Sequence, residues 1–142
     1  MGSVYDKAKY FKKKYHGSFA FRIKKHAAVV EKHLNPGEKA NFVFIGQKNS
    51  SAKEWFQSCV VAITDRRILI GRKRLLWGYF LSAITPDLYN DMQIYQGLIW
   101  GNVTIDTVKE EVVISNISKK GLSEIETRIS EFMMEEKKKY KK

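Results

Sequence analysis

Histidine and cysteine are the side chains with the first claim to chemistry, and this chain has His16, His26, His33 and a single Cys59. All three histidines precede the β-rich part of the sequence, and no Cys/His spacing resembles a zinc site. His26 and His33 are seven residues apart, which puts them on one side of a helix. An exposed pair bordering an apolar stripe is the expectation there. Cys59 alternates with Gln57 and Val61 in an apolar run, a setting for a buried structural thiol rather than an activated nucleophile. No phosphate-cradling glycine loop, dinucleotide fingerprint or nucleophile elbow occurs. The sequence therefore predicts no catalytic residue, no metal and no cofactor, in a protein that is not an enzyme.

Binding chemistry is better supplied. The chain carries 26 Lys/Arg against 15 Asp/Glu, a net charge of +11. Residues 1–40 hold a net of +7, residues 41–118 of +1, and residues 119–142 of +3. Basic ends around a nearly neutral middle point to a polyanion: an anionic membrane surface, nucleic acid or an acidic protein. Two groups stand out as anion- or lipid-binding candidates. One is Lys9, Phe11, Lys12 and Lys13 near the N-terminus. The other is Arg72, Lys73 and Arg74 running into Trp77. For a Trp in such a loop the commoner arrangement is an indole packed inside with the arginines at the edge. Each Lys or Arg at an anionic surface contributes about 1 kcal/mol, so four together give a dissociation constant of about 1 mM. Charge alone does not hold a monomer there; insertion of Tyr10, Phe11 or Tyr15, or self-association, must add to it.

The elements that must position these residues change period along the chain. Val4, Ala8, Phe11 and Tyr15 recur at helical spacing, with lysines over the rest of that surface. Gly17 interrupts, Ser18 offers a cap, and Phe19, Ile23, Ala27, Val30 and Leu34 make the stripe of a second helix. Two coverings suit these stripes: a membrane for the first helix, and the remainder of the protein or a second subunit for the second. Asn35-Pro36-Gly37 ends the helical part. Seven β-rich stretches follow: Ala40 to Gly46, Trp55 to Ile63, Ile68 to Gly71, Tyr79 to Ile84, Met92 to Tyr95, Ile99 to Ile105 and Glu111 to Ser115. A closing helix starts at Lys119 or at the capping box Ser123–Glu126, and Ile125, Ile129 and Phe132 are expected to cap the strands. Residues 137–142 read as a basic tail.

At 142 residues this is one domain large enough to fold without a disulfide, and the lone cysteine fits a reducing compartment. The longest nearly apolar run, Leu75 to Ile84, is too short to span a bilayer, and no apolar signal core follows the basic N-terminus. The expected location is the cytoplasm, with peripheral association at the inner face of the membrane.

Three stretches carry a resemblance. Val61-Ala62-Ile63-Thr64-Asp65-Arg66-Arg67-Ile68-Leu69-Ile70 is similar to the strand–turn–strand of bacterial pleckstrin-homology-like (PH-like) domains. Ile84-Thr85-Pro86-Asp87-Leu88 resembles their proline-marked connection, and Gly97-Leu98-Ile99-Trp100-Gly101-Asn102-Val103-Thr104-Ile105 their glycine-bracketed strand. The resemblance implies a mainly β fold with helices: a seven-stranded antiparallel PH-like barrel or sandwich over residues 36–136, capped by a C-terminal helix. Residues 1–35 form a basic amphipathic helical extension before it. The resemblance implies a noncatalytic binding or adaptor module whose partner is anionic lipid or another protein chain, including a second copy of itself. Nucleic acid, bound by the N-terminal helices and the basic, aromatic loop of residues 66–77, is the alternative. The second strand lacks the basic residues that eukaryotic members use to hold a phosphoinositide headgroup, so that ligand is not expected.

Overall fold

The computed structural model describes residues 3–18, 20–48, 57–74 and 77–140, the last four of these by their backbone. Two helices come first, α1 (Ser3–Lys14) and α2 (Ile23–Lys32). Seven strands follow: β1 (Ala40–Lys48), β2 (Ser58–Thr64), β3 (Ile68–Lys73), β4 (Tyr79–Ile84), β5 (Tyr89–Gln96), β6 (Trp100–Thr107) and β7 (Glu111–Ser118). A short 3-10 turn, Pro86–Leu88, joins β4 to β5, and helix α3 (Lys119–Tyr140) closes the described chain. The strands form one antiparallel sheet in the order β4-β3-β2-β1-β7-β6-β5, curled into a half-barrel.

Register explains why β2 is apolar throughout rather than alternating. Gly71 faces Val60, which faces Ile45; Ile70 faces Val61, which faces Phe44. The first row lies under α2: a Cβ on Gly71 would stand 2.5 Å from a Val30 methyl and 3.3 Å from the Val30 amide nitrogen. Only glycine lets the helix backbone come that close to β3. Phe42, on the other face, lies 5.2 Å beneath the Arg128 guanidinium of α3. Every residue of β2 is buried. A strand covered on both faces needs apolar side chains in both directions, and the run from Cys59 to Ile63 supplies them.

The N-terminal helices are part of this packing. β1 and β7 pair only at Gln47–Ser115 and Lys48–Ile114, which leaves their seam open toward Ala40. α1 packs against β1. Val4, Ala8 and Phe11 are buried, and the Phe11 ring stands 5.9 Å from Phe42 and 6.2 Å from Phe44. The covering predicted for the α1 stripe, a membrane, is thus replaced by the protein's own sheet. α2 begins at Ile23 rather than at Ser18, with Arg22 in the left-handed region at its start. Ser18 instead accepts a hydrogen bond from the Ser118 amide at the end of β7. Phe19, expected in the α2 stripe, lies outside the described residues.

α3 starts at Lys119, the earlier of the two predicted positions. Leu122, Ile125, Ile129 and Met133 are its buried hydrophobic residues among those described, while Phe132, expected with them, is only partly buried. The direction of the helix gives the reason: Ile125, Ile129 and Met133 are four apart and keep to one face, and Phe132 falls at its border. The second strand begins at Ser58; Trp55 and Phe56, expected to open it, lie outside the described residues, as do Lys53, Leu75, Leu76, Lys141 and Lys142.

Candidate functional site

Of the side chains that could do chemistry, Cys59, His26 and His33 are committed to the fold, while His16 is exposed after α1. Cys59 is fully buried, and burial pushes its thiol up to about 12. His26 is buried, not exposed as the helical spacing suggested. Its Nδ1 accepts a hydrogen bond from the Lys73 amide at 2.8 Å, which ties α2 to the end of β3. Burial first, then the Arg22 and Arg72 charges, lowers it to about 4, so the ring is neutral at pH 7. His33 is half-buried, with Nδ1 2.7 Å from the Val29 carbonyl and Nε2 3.1 Å from the Tyr79 hydroxyl. Among the described residues, no three His, Cys, Asp or Glu side chains come together as a metal site would need.

The turn Thr64-Asp65-Arg66-Arg67 forms a clasp. Arg67 donates from Nε and Nη2 to the two carboxylate oxygens of Glu38, both at 3.0 Å, and from Nη2 to the His33 carbonyl at 3.0 Å. Glu38 also accepts from the Thr64 hydroxyl at 2.6 Å and from the Asn35 amide at 2.9 Å. Burial would raise the Glu38 carboxyl, but the Arg67, Asn35 and Thr64 donors outweigh it and hold the group at about 2. Arg67 is thus a structural cation, pinning the exit of α2 to the β2–β3 turn.

The two predicted basic groups lie on different parts of the molecule. Lys9, Lys12 and Lys13 project from α1 into solvent. Lys9 stands 3.9 Å from Asp6 and 4.7 Å from the Tyr5 ring centre, an exposed pairing of little energetic weight. Phe11, placed with them by sequence, is 2% exposed. It cannot reach a ligand surface from this position, because the helical repeat that turns the lysines outward turns Phe11 onto β1. Beside the lysines, Lys7, Tyr10 and Lys14 line a cleft with Asn41 of β1 and Arg128 of α3.

Arg72 and Lys73 are the last residues of β3, not part of a loop after it, and Arg74 follows them exposed. The Arg72 Nε is buried with no hydrogen-bond partner. Lys73 joins Lys25 and Lys32 of α2 around a shallow pocket floored by Val29 and bordered by His33 and Tyr79. Trp77 is 76% exposed rather than packed inside. Strand β2 lies between β3, which carries Arg72 and Lys73, and β1, against which α1 packs.

The stretch read from sequence as a glycine-bracketed strand, Gly97 to Ile105, opens on a feature not foreseen there, the exposed tip of the β5–β6 hairpin. The Gly97 amide donates to the Trp100 carbonyl at 2.9 Å, leaving Leu98 and Ile99 at the tip, 88% and 58% exposed. Read by strand pattern, Ile99 belongs to β6; the signal that marks it as a tip is the glycine on either side of Leu98-Ile99-Trp100.

A family model described as a bacterial PH domain matches residues 34–131. That match covers the sheet and the first part of α3, and leaves α1 and α2 outside. No curated protein and no solved structure matches the chain.

Proposed function

The chain belongs to the bacterial PH domain family, and from that premise we propose that it is a noncatalytic adaptor that associates peripherally with an anionic membrane surface. The observation that carries this reading is the division of labour on α1. Its apolar stripe is used up inside the protein, while Lys7, Lys9, Lys12, Lys13 and Lys14 all remain exposed on a helix held against the sheet. Lysines carried on a helix already held against the sheet lose less backbone freedom on meeting a charged surface than the same lysines on a mobile tail would. Lys25, Lys32, Lys73 and Arg74 supply a second basic area with Trp77 beside it. No helix among the described residues is long and apolar enough to cross a membrane.

Sedimentation with vesicles tests this. Phosphatidylcholine vesicles containing phosphatidylglycerol should retain the protein at low salt, and pure phosphatidylcholine should not. Lys12→Glu with Lys13→Glu should weaken retention roughly tenfold or more, since the reversal both removes attraction and adds repulsion. Raising salt should weaken the wild type, because exposed charges are screened within about a nanometre. If the protein instead ignores vesicles and binds duplex DNA or single-stranded RNA with a steep salt slope, the nucleic-acid reading replaces this one.

A further inference from the structure

Four lysines acting by charge give only millimolar affinity, and with Phe11 buried and Tyr15 partly so, Tyr10 alone is left fully exposed of the three rings α1 was expected to insert. We infer that the β5–β6 hairpin tip, Leu98-Ile99 with Trp100 and Tyr95 behind it, is the element that inserts into an anionic bilayer. The inference rests on the membrane reading above and supplies the apolar term that reading requires.

Residue choice at the tip is the first ground. Tight hairpin ends favour Gly, Asn and Asp, which suit the backbone there and welcome water. Leu98 and Ile99 offer neither advantage, and both point away from the core. Tyr95 and Trp100 stand just behind them, 65% and 41% exposed, the placement aromatic rings take at a membrane–water interface.

The second ground is bracing. The Trp100 indole Nε1 donates to the Gly17 carbonyl at 2.6 Å, so its polar edge is satisfied by the α1–α2 connection. The Lys119 amide at the start of α3 donates to the Ile99 carbonyl at 3.2 Å. Gly101 lets the hairpin press against Leu122 of α3 and the Tyr95 carbonyl, where a Cβ would collide with both. A tip held on two sides does not have to be ordered when it binds.

Charge is the third ground, and it selects lipid over a protein groove. The bracing bonds bring together the tip, the end of α1 and the start of α3. These three segments, residues 95–102, 9–18 and 117–122, contain six lysines and no acidic residue. Lys12, Lys13, Lys119 and Lys120 among them are exposed. Glu124, the nearest acid on α3, is engaged by Lys14 at 3.3 Å and Arg128 at 3.6 Å. A convex apolar point with basic residues around its base matches hydrocarbon below a layer of anionic headgroups.

Leu98→Cys, labelled with an environment-sensitive fluorophore, reads insertion directly, since Cys59 is fully buried and does not compete for the label. On phosphatidylcholine vesicles containing phosphatidylglycerol the label should shift to the blue and be quenched by lipid-borne quenchers. Leu98→Ser with Ile99→Ser should weaken vesicle binding about tenfold or more at every salt concentration, with melting temperature little changed because both side chains are mostly exposed. A label that stays water-like on bound vesicles, or a serine variant that binds as wild type, overturns the inference while leaving the basic surface intact. Failure of every form to bind vesicles overturns both readings. If the serine change instead dissolves a lipid-free oligomer seen by light scattering, the tip is a contact between copies and the inference fails.

Discussion

Glu38 is nearly inaccessible and accepts hydrogen bonds from Arg67, Thr64 and Asn35. Removing one partner of such a buried pair leaves the other's charge uncompensated, so Glu38→Gln should cost about 3–5 kcal/mol in chemical denaturation at pH 7. Its carboxyl lies at about 2 in the fold against 4.5 without it. The stabilisation is therefore present above 4.5 and is lost as pH falls toward 2. His26 acts in a different window. Its folded value of about 4 lies below the ordinary 6.5, so the unfolded chain binds the extra proton first. Stability is full above 6.5 and declines as pH falls to 4, by about 2 kcal/mol after allowance for solvent screening. His26→Asn keeps an acceptor for the Lys73 amide and removes the titration. Denaturation midpoints measured from pH 7 to pH 4 should decline less steeply in that variant than in the wild type.

At the level of elements, α3 sets a graded test. Ile129 is fully buried and Phe132 only partly so. Ile129→Ala should cost about 2–5 kcal/mol, the range for an internal large-to-small change. Phe132→Ala should cost clearly less, despite the larger side chain, and comparing the two denaturation curves checks the facing of the helix. The strands and this helix were legible in the sequence because their periods, two and 3.6, are set by backbone geometry. Tyr79–Ile84 falls where the pattern placed it, and Lys119 was one of two starts. What covers an amphipathic stripe is not legible, since period shows that a face is apolar and not what it meets. Phe11 illustrates this: membrane and sheet would select the same residue. His26 and the Leu98-Ile99 tip escaped for related reasons. A helical repeat does not say how closely the helix lies on β3, and a strand pattern runs on through a turn made of apolar residues. Of the eight residues put forward for binding, the lysines of α1 and Arg74 and Trp77 are on the surface. Arg72 and Lys73 are partly enclosed at the end of β3, and Phe11 is in the core.

Across the whole molecule, the boundary of the family match and the boundary of the packed core do not coincide. The match begins at residue 34, which by itself suggests that a chain starting near Pro36 would fold. The packing argues otherwise. Without residues 1–34, the α2 side of β2 and β3 would lose Ala27 and Val30. Phe42 and Phe44 would lose Phe11, and Gly71 and Gly121 would be left facing water where helix backbone or aromatic rings now press. Tertiary anchors go as well, among them Ser18 to Ser118, Phe21 to Ser58, His26 to Lys73, and the His33 carbonyl to Arg67. Burying one large apolar side chain contributes about 1.5–3 kcal/mol, and a domain is stable by only about 5–15 kcal/mol in all. Losing Phe11, Val30 and their neighbours together should remove most of that margin. The chain from residue 35 onward should therefore show no cooperative melting transition and should bind a hydrophobic dye, whereas the full chain should melt in one step. A truncated chain that melts cooperatively near the full-length temperature would mean that α1 and α2 rest on a sheet that does not need them.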